Sequence, residues 1–536
     1  MSVLLHEGVA AQAQARPESA AVVCRSQRLT YGELEALSNR LARVLRAAGC
    51  GSGERVALYM PKSPAAIVAM LGALKAGAAY VPMDPDSPAP RQARVLALGD
   101  CRCLLAAGPV APRLREVLAG LPPAARPRIG WLDDEAAPPA DPAPDFLLRD
   151  LGAQPASAPP RPAASSELAL ILFTSGSTGL PKGVMLTHAN VAHFLHWARA
   201  HFGLTSADRV SQHAPLRFDI STFDIYGALG VGAELHLVPP ELNLLPHKLA
   251  QLIRDARLTQ WFSVPAVLTL MAKFAVVAPG DFWSLRRVLF AGEALPTPTL
   301  MYWMRRLPHV RFTNLYGPTE TTISSSCYDV PRCPEDARAP IPIGRAIPGE
   351  ELLVLDEAQR PVPPGTTGEL CIGGEGLSPG YWRDPARTAE AFVARPGGFG
   401  ERLYRTGDLA RVDADGLLHF LGRADTQVKC RGHRIELGEI EAALHALPAL
   451  RDSAVVALPS QGFEGALICC AYAPAPGHGV SPQSLRASLA AVLPGYMLPV
   501  RWQRFEALPK NESGKIDRVA LRAAFEGGEA RIEEAA

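Results

Sequence analysis

The segment Phe173-Thr-Ser-Gly-Ser-Thr-Gly-Leu-Pro-Lys-Gly183 concentrates three glycines, four hydroxyl side chains and a lysine. It follows the apolar run Leu168–Phe173, which reads as a buried strand. Glycines let backbone N–H groups approach an anion, and hydroxyls donate further hydrogen bonds. Lys182 adds a positive charge. Thr174, Ser175, Gly176, Ser177, Thr178, Gly179 and Lys182 therefore form a candidate phosphate cradle. It is not a Walker A loop, because Gly-x-x-x-x-Gly-Lys-Ser/Thr is absent.

Further motifs stand in order along the chain. Leu74-Lys-Ala-Gly-Ala-Ala-Tyr-Val-Pro-Met-Asp-Pro85 precedes the loop. Asn314-Leu-Tyr-Gly-Pro-Thr-Glu-Thr-Thr322, Gly368-Glu-Leu-Cys-Ile-Gly-Gly-Glu-Gly376 and Tyr404-Arg-Thr-Gly-Asp-Leu409 follow it. Gly422-Arg-Ala-Asp-Thr-Gln-Val-Lys-Cys-Arg-Gly-His-Arg-Ile-Glu436 and Ser513-Gly-Lys-Ile-Asp-Arg518 complete the series. Over roughly residues 10 to 520 the chain resembles the adenylate-forming superfamily. Within it, the motifs are those of nonribosomal peptide synthetase adenylation enzymes.

The resemblance implies ATP as cosubstrate and Mg²⁺ as its counter-ion. Glu320 offers a hard oxygen to Mg²⁺ during displacement at the α-phosphorus. Tyr316 can stack on a base, and Asp408 can accept hydrogen bonds from ribose hydroxyls. Asn314, Gly317 and Thr319 belong to the same nucleotide motif, and Arg423 is expected at ribose or phosphate. Lys515 matches the lysine that reaches the carboxylate and α-phosphate when a small domain closes. An ammonium there would stabilise developing charge. Ser513 stands where the family usually has Asn. Asp425 matches the family hinge, and His213 an aromatic gate beside the carboxylate site. Cys430 replaces a common aliphatic residue and reads as packing.

The resemblance also gives a substrate pocket. Asp219, in Phe218-Asp219-Ile-Ser, is the position that pairs with a substrate α-ammonium. Its presence favours an amino acid over a fatty or aryl acid, because a carboxylate in an apolar pocket needs a cationic partner. The other pocket positions are Ile220, Phe223, Phe262, Leu289, Ala291, Leu315, Ile323 and Ser324, closed by Lys515. Two phenylalanines and no second charge suit a compact, uncharged side chain. The set resembles that of free-standing prolyl-adenylating enzymes of pyrrole-forming pathways, with valine as competitor. L-Proline is the expected substrate. No phosphopantetheine site and no condensation motif occur in the sequence. The expected acceptor is the phosphopantetheine thiol of a separate peptidyl carrier protein, or a small thiol. An acyl-CoA ligase would share the ATP chemistry without needing Asp219. A non-catalytic scaffold would not need Lys182, Glu320, Asp408 and Lys515 together.

These residues need elements to hold them. Leu34, Leu37, Leu41, Val44 and Leu45 recur at helical spacing before Gly49. Arg55–Tyr59 reads as a strand, Ile67–Lys75 as a helix ended by Gly77, and Ala78–Pro82 as a strand. Strand–helix alternation predicts an α/β fold with substantial parallel sheet. Residues 106 to 166 turn Ala- and Pro-rich and read as surface loops with one helix and one strand. After Gly422 the elements shorten, and Leu437–Leu447 reads as a helix. We expect a large core over residues 1–423 with mixed and parallel sheets, and a small mobile α+β domain over 424–536.

The 536 residues exceed one compact core. With 54 Lys+Arg against 53 Asp+Glu, bulk electrostatic binding of nucleic acid is not expected. No apolar run reaches the roughly 18 residues of a membrane span, and the N-terminus lacks a signal-peptide pattern. No Cys-x-x-Cys pair occurs among the ten cysteines. A cytoplasmic, thiol-reduced protein is expected.

Overall fold

The computed structural model describes residues 4–134, 138–160, 164, 167–176, 179–396, 401–460, 465–511 and 515–527. Its centre is two large sheets of mainly parallel strands. One has seven strands and includes Arg55–Tyr59, Ala79–Pro82, Cys103–Ala106 and Leu168–Thr174. Lys182–Thr187 closes that sheet as an antiparallel edge. The other has nine strands, with Arg209–Gln212, Gln260–Ser263, Arg287–Ala291 and Arg311–Tyr316 parallel.

The helix Pro64–Ala76 packs against strands of both sheets. All of its residues except Ala65 are buried, as an all-apolar helix must be. Its one charge, Lys75, meets Glu35 at 2.6 Å, and Ser38 and Asn39 at 2.8 Å. Those partners lie on helix Tyr31–Ala47, which starts in a Thr30–Glu33 capping box. Gly72 lets the two helices touch, since a Cβ there would meet Leu41 Cδ2 at 2.7 Å.

The described residues between 106 and 166 form more regular structure than their composition suggests. Helix Ala111–Ala119 is followed by two strands, Arg128–Trp131 and Phe146–Leu147, which extend the seven-stranded sheet. Ile129 and Trp131 are buried there, so a hydrophobic stripe hidden among Ala and Pro overrides the loop-like composition.

A five-stranded antiparallel sheet follows, and its last register pair is Asp408 with Arg423. Beyond it come the hairpin of Gln427–Cys430 and His433–Glu436, helix Leu437–His445, and a three-stranded sheet. This smaller α+β part has its own core around Ile435, Ile440, Leu444, Tyr472 and Trp502. The fold class thus agrees with the α/β expectation. All ten cysteines are free thiols. Among the described residues, no helix is long and apolar enough to cross a membrane.

Candidate active site

One cavity collects the ends of both large sheets. Its wall includes Pro82, Met83, Thr174, Ser175, Val264, Ala291, Gly292, Gly317 and Thr319. Each lies at, or just beyond, the carboxyl end of a parallel strand. Ligands of open parallel sheets bind at such ends. The opposite wall comes from the smaller part: Gln427, Lys429, Gly432, His433, Arg434 and Tyr496.

Asp408 anchors one end of the cavity. One carboxylate oxygen accepts from the Tyr316 hydroxyl and the other from Arg423. Arg423 also donates to Asp425 at 2.7 and 2.6 Å and to the Thr406 carbonyl at 3.0 Å. The Arg423 guanidinium helps hold the Asp425 carboxyl below its usual range, against burial. Asp408 retains lone pairs for a further donor, as a diol would supply. The Lys429 ammonium lies 5.9 Å from the Tyr316 ring centroid, on a ring expected to stack on a base. Asn314 is turned away and donates to the Pro342 carbonyl at 2.9 Å. Gly317 is needed for close approach, because a Cβ would meet Ser324 Cα at 2.5 Å.

The phosphate loop is the connection between strands Leu168–Thr174 and Lys182–Thr187, with Thr174 paired to Lys182. Ser177 and Thr178 lie outside the described residues. The Thr174 hydroxyl is buried on the cavity wall without a hydrogen-bond partner. Such an orphaned donor suits a ligand oxygen. Ser175 donates to the Arg434 carbonyl at 2.6 Å. Gly176 admits no Cβ, which would meet the Leu180 carbonyl oxygen at 2.0 Å. Gly179 closes the turn by donating to the Gly176 carbonyl at 3.0 Å.

Glu320 is fully buried beneath this loop. Its Oε1 meets Lys182 at 3.0 Å and the Tyr381 hydroxyl at 2.9 Å. Its Oε2 meets Arg434 at 2.7 Å. Despite burial, Arg434 and Lys182 drive its carboxyl far below the usual range. A carboxylate is the right donor type for Mg²⁺. With both oxygens engaged by cations, this arrangement of Glu320 does not accommodate the ion.

The expected amino-acid pocket is split by depth. Asp219, Ile220, Ala291 and Ile323 line the cavity. Phe223, Phe262, Leu289, Leu315 and Ser324 do not; they are buried behind it. Leu289 and Leu315 sit inside strands rather than at their open ends, which explains their depth. Phe223 and Phe262 meet edge to face at 6.0 Å. Burial pushes the Asp219 carboxyl up to about 6, opposed by neighbouring donors that include the Ile220 N–H at 2.8 Å.

His213 and Lys515 also lie outside the cavity lining. His213 is buried against Trp261, 5.2 Å between rings, and does not line the cavity. Burial, with Lys62 nearby, pushes it down to about 3, so it is neutral at ordinary pH. Lys515 is exposed and outside the cavity. Its backbone N–H and carbonyl pair with Asn511. The small part turns its hairpin toward the cavity instead, and Lys515 lies near the other end of that part's sequence.

Lys429, His433 and Arg434 also line the cavity, although only the motif around them, Gly422–Glu436, marks them in the sequence. The signal was the crowding of potentially cationic side chains between Lys429 and Arg434. His433 stacks on Tyr496 at 3.7 Å and meets Phe218 edge-on at 5.3 Å. Arg91 and Glu439 add a buried ion pair between the two parts.

Asp408, Arg423 and the loop after Leu168–Thr174 thus share one cavity at the carboxyl ends of parallel strands, where nucleotide-binding enzymes of this architecture place their ligand. The AMP-binding enzyme family profile matches residues 9–382, and its C-terminal domain profile matches 439–515. The chain belongs to this family, among the adenylation enzymes of nonribosomal peptide synthesis. It is 36% identical over 517 residues to tyrocidine synthase 3 of Brevibacillus parabrevis, covering 96% of this chain and 8% of that protein. It is 40% identical over 522 residues to the isonitrile lipopeptide synthase of Mycobacterium tuberculosis, covering 97% and 19%. The chain thus spans a fifth or less of these relatives. Among solved structures, the Vibrio cholerae adenylation domain AlmE, in complex with glycyl-adenosine-5'-phosphate, superposes with a TM-score of 0.84. Its identity is 27%, over 98% of each chain. A nonribosomal peptide synthetase protein containing adenylation and PCP domains gives 0.79 at 30% identity, covering 97% of this chain and 84% of that one.

Proposed function

We propose that this chain uses ATP to activate an amino acid as its aminoacyl-adenylate and then passes the acyl group to the thiol of a separate carrier protein. The observation that carries this reading is that Asp219 shares one cavity with Asp408 and Arg423. An ammonium acceptor and a ribose acceptor then face the same space. The substrate carboxylate would attack the α-phosphorus and release pyrophosphate. The carrier thiolate would attack the acyl carbon and release AMP.

In this reading the core is residues 1–423 and the lid 424–536, hinged at Asp425. The present lid position, with Lys515 outside, suits the second half-reaction. Rotation about Asp425 would exchange the hairpin for Lys515. The names of the relatives support carrier loading, since one solved neighbour contains adenylation and PCP domains. The substrate proposed is L-proline, on the basis of a narrow apolar wall backed by Phe223 and Phe262. Amino-acid-dependent ATP–pyrophosphate exchange tests the activity. Exchange with fatty or aryl acids but with no amino acid would refute it.

A further inference from the structure

Strand Ser326–Asp329 pairs antiparallel with Arg311–Tyr316 in the nine-stranded sheet. Cys327 and Asp329 are two residues apart on it, so their side chains share one face. His201, near the end of helix His188–Phe202, meets them there. Its Nε2 lies 3.6 Å from Cys327 Sγ and 3.1 Å from Asp329 Oδ2. Among the described residues, this is one group of three donor side chains whose ligating atoms all lie within 4.8 Å of one another. None of the three lines the nucleotide cavity.

A cation already sits at this convergence. The Arg311 guanidinium donates from one nitrogen to His201 Nε2 at 2.8 Å and also to Asp329 Oδ2. A guanidinium only donates, so Nε2 must accept and presents its lone pair. A second Arg311 nitrogen donates to Asp329 Oδ1 at 3.0 Å, and the Thr313 hydroxyl donates to the same oxygen at 2.6 Å. The carboxylate is thereby aimed at the histidine. The Arg311 side chain is 40% exposed, so it has a path out to solvent.

The spacing fits a metal ion. Tetrahedral zinc binds nitrogen or oxygen at about 2.0–2.1 Å and sulfur at about 2.3 Å, which places N and S about 3.6 Å apart and N and O about 3.3 Å apart. A mixed nitrogen, sulfur and oxygen set selects zinc-type ions over Mg²⁺ or Ca²⁺, which take oxygen.

We propose that His201, Cys327 and Asp329 form a binding site for a thiophilic divalent cation of the zinc type, which takes the place of the Arg311 guanidinium. His201 gives its Nε2 lone pair, Asp329 its carboxylate and Cys327 its thiolate. The thiol proton leaves to solvent, and water fills the fourth position. The ion ties the end of the helix to the strand in register with Leu315 and Tyr316.

The test titrates the chelator-treated full chain with Co²⁺ and then Zn²⁺. The wild type should bind Co²⁺ with a thiolate charge-transfer band, which Zn²⁺ then abolishes. Cys327→Ser should lack the band. Tryptophan emission should change with Zn²⁺ in the wild type and not in His201→Gln, because Trp197 stacks on that ring at 4.9 Å. Arg311→Ala should bind Zn²⁺ about tenfold tighter, since no charge-assisted hydrogen bonds have to be broken. A wild type without the band, or a Cys327→Ser variant that keeps it, overturns the proposal. Should Cys327→Ser not fold, Arg311→Ala decides, because it keeps all three donors: affinity equal to or weaker than that of the wild type overturns the site.

Discussion

Arg434 and Glu320 meet at 2.7 Å across the boundary between the small part and the large sheets. The same arginine offers its carbonyl to Ser175 of the phosphate loop. One residue of the small part thus occupies both the loop and the acid beneath it.

Glu320→Gln should destabilise the protein more than Arg434→Gln. The first leaves Lys182 and Arg434 buried as unbalanced cations; the second leaves Glu320 paired with Lys182. Breaking a buried pair by removing the shared partner costs about 3–5 kcal/mol. Thermal unfolding checks the order, and equal losses would contradict it. The Glu320 carboxyl is depressed in the fold, so its contribution is present above the unfolded value of about 4.3 and is lost as pH falls further.

Amino-acid binding should weaken in mild acid. Asp219 sits at about 6 when no ammonium faces it. A cation binds the carboxylate form, so affinity should fall about tenfold per pH unit below that value. The same raised value stabilises the protonated fold below about 4, and that stability is lost as pH rises through 6. Isothermal titration with L-proline between pH 5 and 8 reads the midpoint. A flat profile would remove Asp219 from the binding step.

Lys515→Ala should leave the melting temperature unchanged, because the side chain is exposed. Surface changes of this kind usually stay within about 0.5 kcal/mol. Pyrophosphate exchange should nevertheless be abolished, while carrier loading from supplied aminoacyl-adenylate survives. Asp425→Pro should do the reverse, since proline locks φ at the hinge. Equal loss of both half-reactions in both variants would count against a rotating lid.

Among the twenty amino acids, L-proline should give the highest kcat/KM. A secondary ammonium has two N–H donors to satisfy, whereas a primary one has three. An unmet buried donor costs about 1–3 kcal/mol. A higher value for valine or alanine would displace proline and leave the enzyme class standing.

Local pattern made much of the fold legible. The helix read from Leu34 to Leu45 is Tyr31–Ala47, and the strand Arg55–Tyr59 matches residue for residue. Asp219, Ile323, Asp408 and Arg423 come from separate motifs and line one cavity. Arg434 escaped notice because its partner lies 114 residues away and depends on how the lid docks. Phe223 and Phe262 were assigned to the wall because motif alignment gives a face of the fold, not a depth within it.

The strand Ala20–Cys24 lies in the nine-stranded sheet beside Glu234–Leu237, and the Tyr31 hydroxyl donates to the Leu229 and Ala233 carbonyls. A chain emerging from the ribosome therefore makes its first strand about 210 residues before one of that strand's two neighbours. At about 5–20 residues per second, this is a delay of roughly 10–40 s. Until then that strand has Gln27–Thr30 on one side and an open edge on the other. The nascent protein should consequently depend on chaperone holding, and synonymous changes that slow translation between residues 80 and 230 should lower its soluble yield without altering a single amino acid.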